Sequence, residues 1–338
     1  MKFKFSFIIT IALLLTCTSV RRTRAADEDT PAEQTIAAGE SVAVSVCLES
    51  GDITVRGWER KEVRARTTSG GQLELRRADG ANENAPATRV EVLISEDAEI
   101  KPRPGQCNPT GDLELDVPRG SIVQLKGRSG DLDVSGVAQL RAETLSGSIE
   151  LRDITRAVEV TTANGDISLK HAKGRAHLRS ISGQIDVSDA GPAEAGDDLW
   201  AKTTSGDITL TEVRHARVEA GTTAGSIDLT GALARGGFYD LKTTQGDVTL
   251  TIPADSSFFI NAKVFYGGDI TTDFPIRLVS GANNTGSETD KNKPKGSVLS
   301  GGNLTGVYGA SDKPDTTLNL ASFSGSVRLR KAVTEEKR

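Results

Sequence analysis

Apolar and polar positions alternate with period two along most of the chain, and the alternation changes phase at regularly placed glycines. Around Gly165, the inward-type positions before the glycine are Val158, Val160 and Thr162, and those after it are Ile167 and Leu169. Period-two alternation describes a strand with one buried face. Before the glycine these positions lie an odd number of residues away; after it, an even number. A one-residue slip turns every side chain to the other face, so no straight strand can carry both halves. The small-polar–Gly pair is therefore a corner or bulge that resets the register, a place where a φ above zero suits glycine.

The unit recurs. Corner glycines Gly51, Gly130, Gly147, Gly165, Gly183, Gly206, Gly225, Gly246 and Gly325 each open a Gly-polar-aliphatic-x-aliphatic run; Gly71, Gly111 and Gly268 open looser copies. Subtracting positions from Gly130 to Gly246 gives intervals of 17, 18, 18, 23, 19 and 21 residues. Intervals near twenty are solenoid rungs, with loops inserted where they lengthen. The pattern predicts an all-β, single-stranded β-solenoid or β-helix with rungs of about 18–22 residues and glycine corners. A β-meander is the other arrangement that period two permits. Two columns follow from the stacking. Thr144, Thr162, Ser180, Thr203, Thr222 and Thr243 point inward beside the corner, where their hydroxyls can bond the interrupted backbone. Asp131, Asp166, Asp207 and Asp247 face outward and accept from turn amides.

The repeat divides the chain. Residues 1–25 read as a signal peptide: Lys2 and Lys4 precede an apolar run from Phe5 to Leu15, too short to span a bilayer comfortably. Cleavage before Ala26 and a lipoprotein-type site at Cys17 compete, although Thr16 and the arginines Arg21, Arg22 and Arg24 suit neither perfectly. Residues 26–40 read as a linker, 41–128 as an irregular N-terminal β cap, and 129–275 as the regular solenoid. Residues 276–315 read as a loop-rich insertion around one or two short strands, 316–330 as the final repeat that closes the stack, and 331–338 as a charged tail.

Composition narrows the fold further. With 36% hydrophobic and only 4% aromatic residues, against 35 glycines, the chain suits a narrow core of stacked aliphatics better than a wide one. The net charge of −5 comes from 41 basic and 46 acidic residues mixed throughout, with no basic stripe for nucleic acid. Membrane contact is expected only through lipidation at Cys17. Beyond Cys17, only Cys47 and Cys107 remain; export permits a disulfide between them, and two unpaired cysteines are the other reading.

The run of Ser-Gly-Asp-Ile-type corners resembles a bacterial family that goes by the name "putative adhesin", β-strand-repeat proteins of unknown function. The segment from Gly246 to Phe274 is similar to that family's closing motif, with Leu250-Thr251-Ile252-Pro253 followed by a glycine corner at Gly268. The resemblance runs roughly from Gly39 to Arg330. It implies the solenoid fold and an adhesin-like role, and it brings no catalytic or binding residues.

The residues offer little chemistry. His171, His177 and His215 show no metal-ligand spacing and read as surface histidines. No nucleophile elbow, phosphate loop or dinucleotide fingerprint is present, and no catalytic residue, metal or cofactor is expected. The aspartate column could instead bind calcium or cleave glycosidic bonds, but an acid at every corner is a turn device first. The aromatics Trp58, Trp200, Tyr239, Tyr266 and Tyr308 are too scattered in sequence to mark a sugar platform. The expected function is an exported, non-enzymatic module of the bacterial cell envelope, periplasmic or extracellular, whose partner is an envelope protein or glycan. A carbohydrate-binding or carbohydrate-active β-helix and an envelope-stress accessory are the alternatives.

Overall fold

The computed structural model describes residues 32–67, 72–80, 85–95, 107–279, 285–288, 297–309 and 314–332. The signal-peptide reading, with Cys17 and Ala26, lies outside these residues, as does the tail beyond Ala332. Every regular element among the described residues is a strand. Each rung has one strand before the corner and one after it, and each pairs in parallel with its counterpart in the next rung. Strand Ile149–Arg152 pairs with Ile167–Lys170, that with Ile185–Ala190, and so on through Ile208–Val213, Ile227–Thr230 and Val248–Ile252. The pre-corner strands form a second wall by the same rule, from Ile122–Ser129 to Phe238–Gln245. The chain is thus an all-β solenoid.

The phase change places both halves of each rung inward. Val158, Val160, Ile167 and Leu169 are at most 2% exposed, and the neighbouring rungs repeat them with Leu178, Ile185, Leu199 and Ile208. Burying one such aliphatic side chain contributes about 1.5–3 kcal/mol, so a four-residue layer per rung holds a core only two side chains thick. A second corner after the post-corner strand uses left-handed backbone. Gly136, Asp153, His171, Asp189 and Glu212 follow one another there with φ of 71°, 56°, 54°, 50° and 53°. Asp and His tolerate that conformation better than branched residues do.

The order of rungs departs from the order of the chain at both ends. Strand Ile53–Trp58 lies between Leu113–Pro118 and Leu132–Ser135, so the Gly51 rung sits inside the Gly111 rung. At the other end, Thr317–Ser324 lies between Phe238–Gln245 and Phe258–Thr272. The last repeat in sequence, expected to close the stack, is its penultimate rung. The closing strand is Phe258–Thr272, and Ser297–Tyr308 covers it antiparallel. Among its described residues the stretch 276–315 therefore holds a 12-residue capping strand, with the short strands Arg277–Leu278 and Thr285–Glu288 antiparallel to it.

The N-terminal end is covered in the same manner. Residues 32–40, which read as linker, begin a 19-residue strand, Ala32–Ser50. Its first part, Ala32–Ala37, runs antiparallel to Glu62–Thr67, which runs antiparallel to Leu113–Asp116. The copy at Gly71 is no rung: Gln72–Arg77 pairs antiparallel with Ala87–Ser95. A parallel stack leaves a row of unpaired backbone groups at each end, and these antiparallel ribbons cover it.

Candidate functional site

The corner column is the one place where the repeat lines up polar groups, so it is the first candidate site. Its glycines touch in the order Gly111, Gly51, Gly130, Gly147, Gly165, Gly183, Gly206, Gly225, Gly246, Gly325 and Gly268. A Cβ on any of them after Gly111 would collide with the carbonyl oxygen of the glycine one rung below. Close stacking of backbone on backbone, more than torsion, demands glycine here. Gly165 shows this: it lacks the positive φ of its neighbours yet meets the same carbonyl obstruction.

The hydroxyl column ties consecutive corners together. Ser180, Thr203, Thr222, Thr243 and Ser322 donate to the carbonyls of Gly165, Gly183, Gly206, Gly225 and Gly246 at 3.1, 3.0, 3.0, 2.7 and 2.7 Å. Thr144 donates to the Ser146 carbonyl of its own rung instead, at 3.1 Å. The Thr162 hydroxyl is buried without a partner.

The aspartates form a second set of ties. The Asp52 carboxylate accepts from the Asp131 amide and Asp131 accepts from the Ser148 amide, both at 2.8 Å. Asp166 accepts from Gln184 at 2.8 Å, Asp207 from Ser226 at 2.7 Å and Asp247 from Ser326 at 2.7 Å. Where serine replaces aspartate, the hydroxyl takes over: Ser226 and Ser326 accept from the amides of Asp247 and Asp269, both at 3.3 Å. Burial alone would raise the Asp247 pKa, but the Ser326 amide and the Arg328 guanidinium together hold it below the ordinary carboxylate value. Each of these acids is a clamp on the next rung. No group of three His, Cys, Asp or Glu side chains among the described residues could hold a metal ion.

Cys47 and Cys107 are joined by a disulfide, with Cα atoms 4.5 Å apart. It ties the long first strand to the short strand Asn108–Thr110, which pairs with it at Leu48. His171 sits exposed at the second corner, 3.8 Å from the Asp153 carboxylate. His177 points outward, 3.1 Å from Asp198 and beside Trp200. His215, read as a surface residue, is fully buried. Its Nε2 lies 2.8 Å from the Gly174 carbonyl, to which it donates, while Nδ1 has no partner. Burial pushes its pKa below the ordinary histidine value, against the pull of Gly174, Asp197 and Asp198.

The aromatics separate into used and unused. Trp58 donates to the Glu62 carbonyl and lies beneath Arg60 and Arg64. The Lys202 ammonium sits over the Trp200 ring, 4.5 Å from its centre. Tyr239 is buried, and Tyr308 packs with Phe258 and Phe274 in the end cap. Tyr266 differs. It stands 65% exposed, with Phe265 at 59% and Phe323 at 46%. The three rings touch, Phe323 being 5.8 Å from Phe265 and 5.0 Å from Tyr266 between centres. The folded chain thus gathers an aromatic platform that sequence spacing alone does not show.

The family model for Toastrack DUF4097 matches residues 33–199 and 197–300, and the chain belongs to that family. Solved structures named "putative adhesin" are similar in fold. The one from Parabacteroides distasonis is 10% identical, with a TM-score of 0.43, over 67% of this chain and 91% of its own. The one from Parabacteroides merdae is also 10% identical with a TM-score of 0.43, over 66% and 89%. A third, from Bacteroides fragilis, is 10% identical with a TM-score of 0.33, over 90% and 98%. No curated protein matches the chain.

Proposed function

We propose that this Toastrack-family chain is an exported, non-enzymatic, adhesin-like module of the bacterial cell envelope, working through its outer surface. The observation that carries the reading is the fate of the aspartate column. It is the repeat's most regular ionisable group, and its carboxylates at Asp52, Asp131, Asp166, Asp207 and Asp247 are each engaged in holding the next rung. Each carboxylate gives one oxygen to the scaffold, so the column is first a set of ties between rungs. Asp166→Ala and Asp207→Ala are therefore expected to lower stability by about 1 kcal/mol each without affecting any turnover. Polysaccharide cleavage by the parent chain that these variants lose would overturn the non-enzymatic reading.

The flat outer faces carry paired charges, such as Arg217 with Glu219 at 2.6 Å and Arg141 with Glu159 at 3.5 Å. Exposed pairs contribute about 0–1 kcal/mol, so they can be removed without unfolding the solenoid. The test is retention of envelope fragments on the immobilised mature chain. The variant combining Arg141→Ala and Arg217→Ala is expected to weaken retention at an unchanged melting temperature; full retention would overturn the role assigned to the faces. Intact mass addresses export separately: a start at Ala26 or a lipidated Cys17 fits the proposal, and an intact Met1 start contradicts it.

A further inference from the structure

We infer that Phe265, Tyr266 and Phe323 form a binding platform for an uncharged sugar ring of a polysaccharide. The inference rests on the proposed interaction role and assigns it a ligand class and a place.

Consecutive residues of a strand point to opposite faces, yet Phe265 and Tyr266 are both exposed. They stand at the corner, level with Phe323 and Ser324 and with Thr244 and Gln245, pairs that are likewise both exposed, and an irregularity follows them. The closing strand's register with the capping strand passes from Val264 opposite Gly302 to Asp269 opposite Ser300, five residues against two. Gly267, with φ of 70°, supplies the left-handed step. The corner turns both side chains outward, and here they are two aromatics of a chain that has few. Phe323 completes the group from the adjacent rung: Ser322 pairs with Val264 and Ser324 with Tyr266, which sets Phe323 level with Phe265. The same outward position in other rungs holds Arg128, Leu145, Ala163, Ile181, Thr204, Thr223 and Thr244, none of them aromatic.

The surroundings select the ligand. The exposed rim consists of Thr244, Gln245, Ser324 and Gly267, all uncharged. Lys242 is engaged by Asp240 at 2.7 Å, and Arg328 by Asp247. Beside the platform this leaves Lys263 on one side of the corner and Asp269 on the other, one charge of each sign. An anionic membrane surface or phosphate-rich polymer calls for a basic rim, which is absent among the described residues. A convex aromatic surface edged by hydroxyl and amide groups instead matches the two kinds of surface on a sugar: the apolar C–H face stacks on a ring, and the hydroxyls meet the rim. Trp200 offers no such platform because Lys202 covers its ring. The platform is also rigid, because the Ser322 hydroxyl and the Ser326 side chain lock the corners on which it stands.

The test is affinity electrophoresis of the mature full chain through gels holding neutral polysaccharides (a β-glucan, a mannan, a chitin derivative), with flotation on neutral and anionic lipid vesicles alongside. One neutral polysaccharide is expected to retard the parent. Phe265→Ala and Phe323→Ala are each expected to weaken that retardation about tenfold, while Trp200→Ala, on the flat face, leaves it unchanged. Retardation unaffected by the platform variants overturns the inference. So does binding confined to vesicles, or platform-dependent dimerisation without sugar binding. Envelope retention that persists without any polysaccharide binding overturns the sugar platform and leaves the wider role standing; loss of both overturns the two together.

Discussion

The middle of the solenoid and its two ends obey different rules. From the Gly130 rung to the Gly246 rung, every neighbour in space is the neighbour in sequence, and all pairing is parallel. At the ends, rungs interleave, strands turn antiparallel, and positions that look like repeats become caps. In the middle, a local rule decides the structure, because each rung needs only a copy of itself on either side. At an end there is no copy to meet, so burial of the last layer falls to whatever segment can cover it.

This difference can be broken most strongly at the N-terminal end. The disulfide spans 60 residues of sequence, and closing a loop of that length stabilises a fold by about 4 kcal/mol in the chain-entropy account. Cys47→Ser with Cys107→Ser is expected to loosen the cap ahead of the middle. Amide exchange should then rise in Ala32–Ser50 and Glu62–Thr67 while the Gly165 and Gly183 rungs stay protected. Uniform loss of protection would show that ends and middle melt as one unit.

The middle should be most sensitive at its corners. Gly206→Ala places a methyl against the Gly183 carbonyl and the Gln184 amide of the rung below, and is expected to cost about 3 kcal/mol in chemical unfolding. At Gly236, whose added methyl meets nothing within 4 Å, only the torsional cost remains, about 1 kcal/mol. Equal costs at the two sites would mean that the close stacking of corners is not what requires glycine.

The smallest expected effect is a pH dependence of the middle. The folded-state pKa of His215 is lowered from its ordinary 6.5 by burial. Below about pH 6.5 the unfolded chain takes up a proton that the folded chain refuses, so stability falls with pH until the folded pKa is reached. Above that window the contribution is fully present. Asp197 and Asp198 are the charged groups that oppose the shift. His215→Leu is expected to flatten the slope of melting temperature between pH 5 and 6.5; an unchanged slope would assign it to other groups.

What was legible follows the same division. Val158, Val160, Ile167 and Leu169 announce their burial by period and parity alone, and the corner glycines announce themselves by repetition. The rung order at the ends is not written in any local pattern: Thr317–Lys331 looks like every other rung, and nothing in its residues says which strands it will meet. His215 was misplaced because a histidine in a turn carries the same symbol whether it faces water or, as here, caps a carbonyl inside. The aromatic platform was hidden because Phe265 and Phe323 are far apart in the chain, and because an alternating strand would have turned one of Phe265 and Tyr266 inward. The platform depends on a pairing that the folded C-terminal end creates, and His215 on the Gly174 carbonyl, 41 residues away.

The interleaved C-terminal end has a consequence for the order of synthesis. Asp247 waits for the Ser326 amide, 79 residues later, before its corner is clamped. When the Gly246 rung and the strand Phe258–Thr272 have already left the ribosome, neither has its final neighbour, because the rung that belongs between them has not been made. The stack is therefore completed only when Thr317–Lys331 takes its place between them, and a chain stopped short of Thr317 lacks the piece that joins the strand Phe258–Thr272 to the stack.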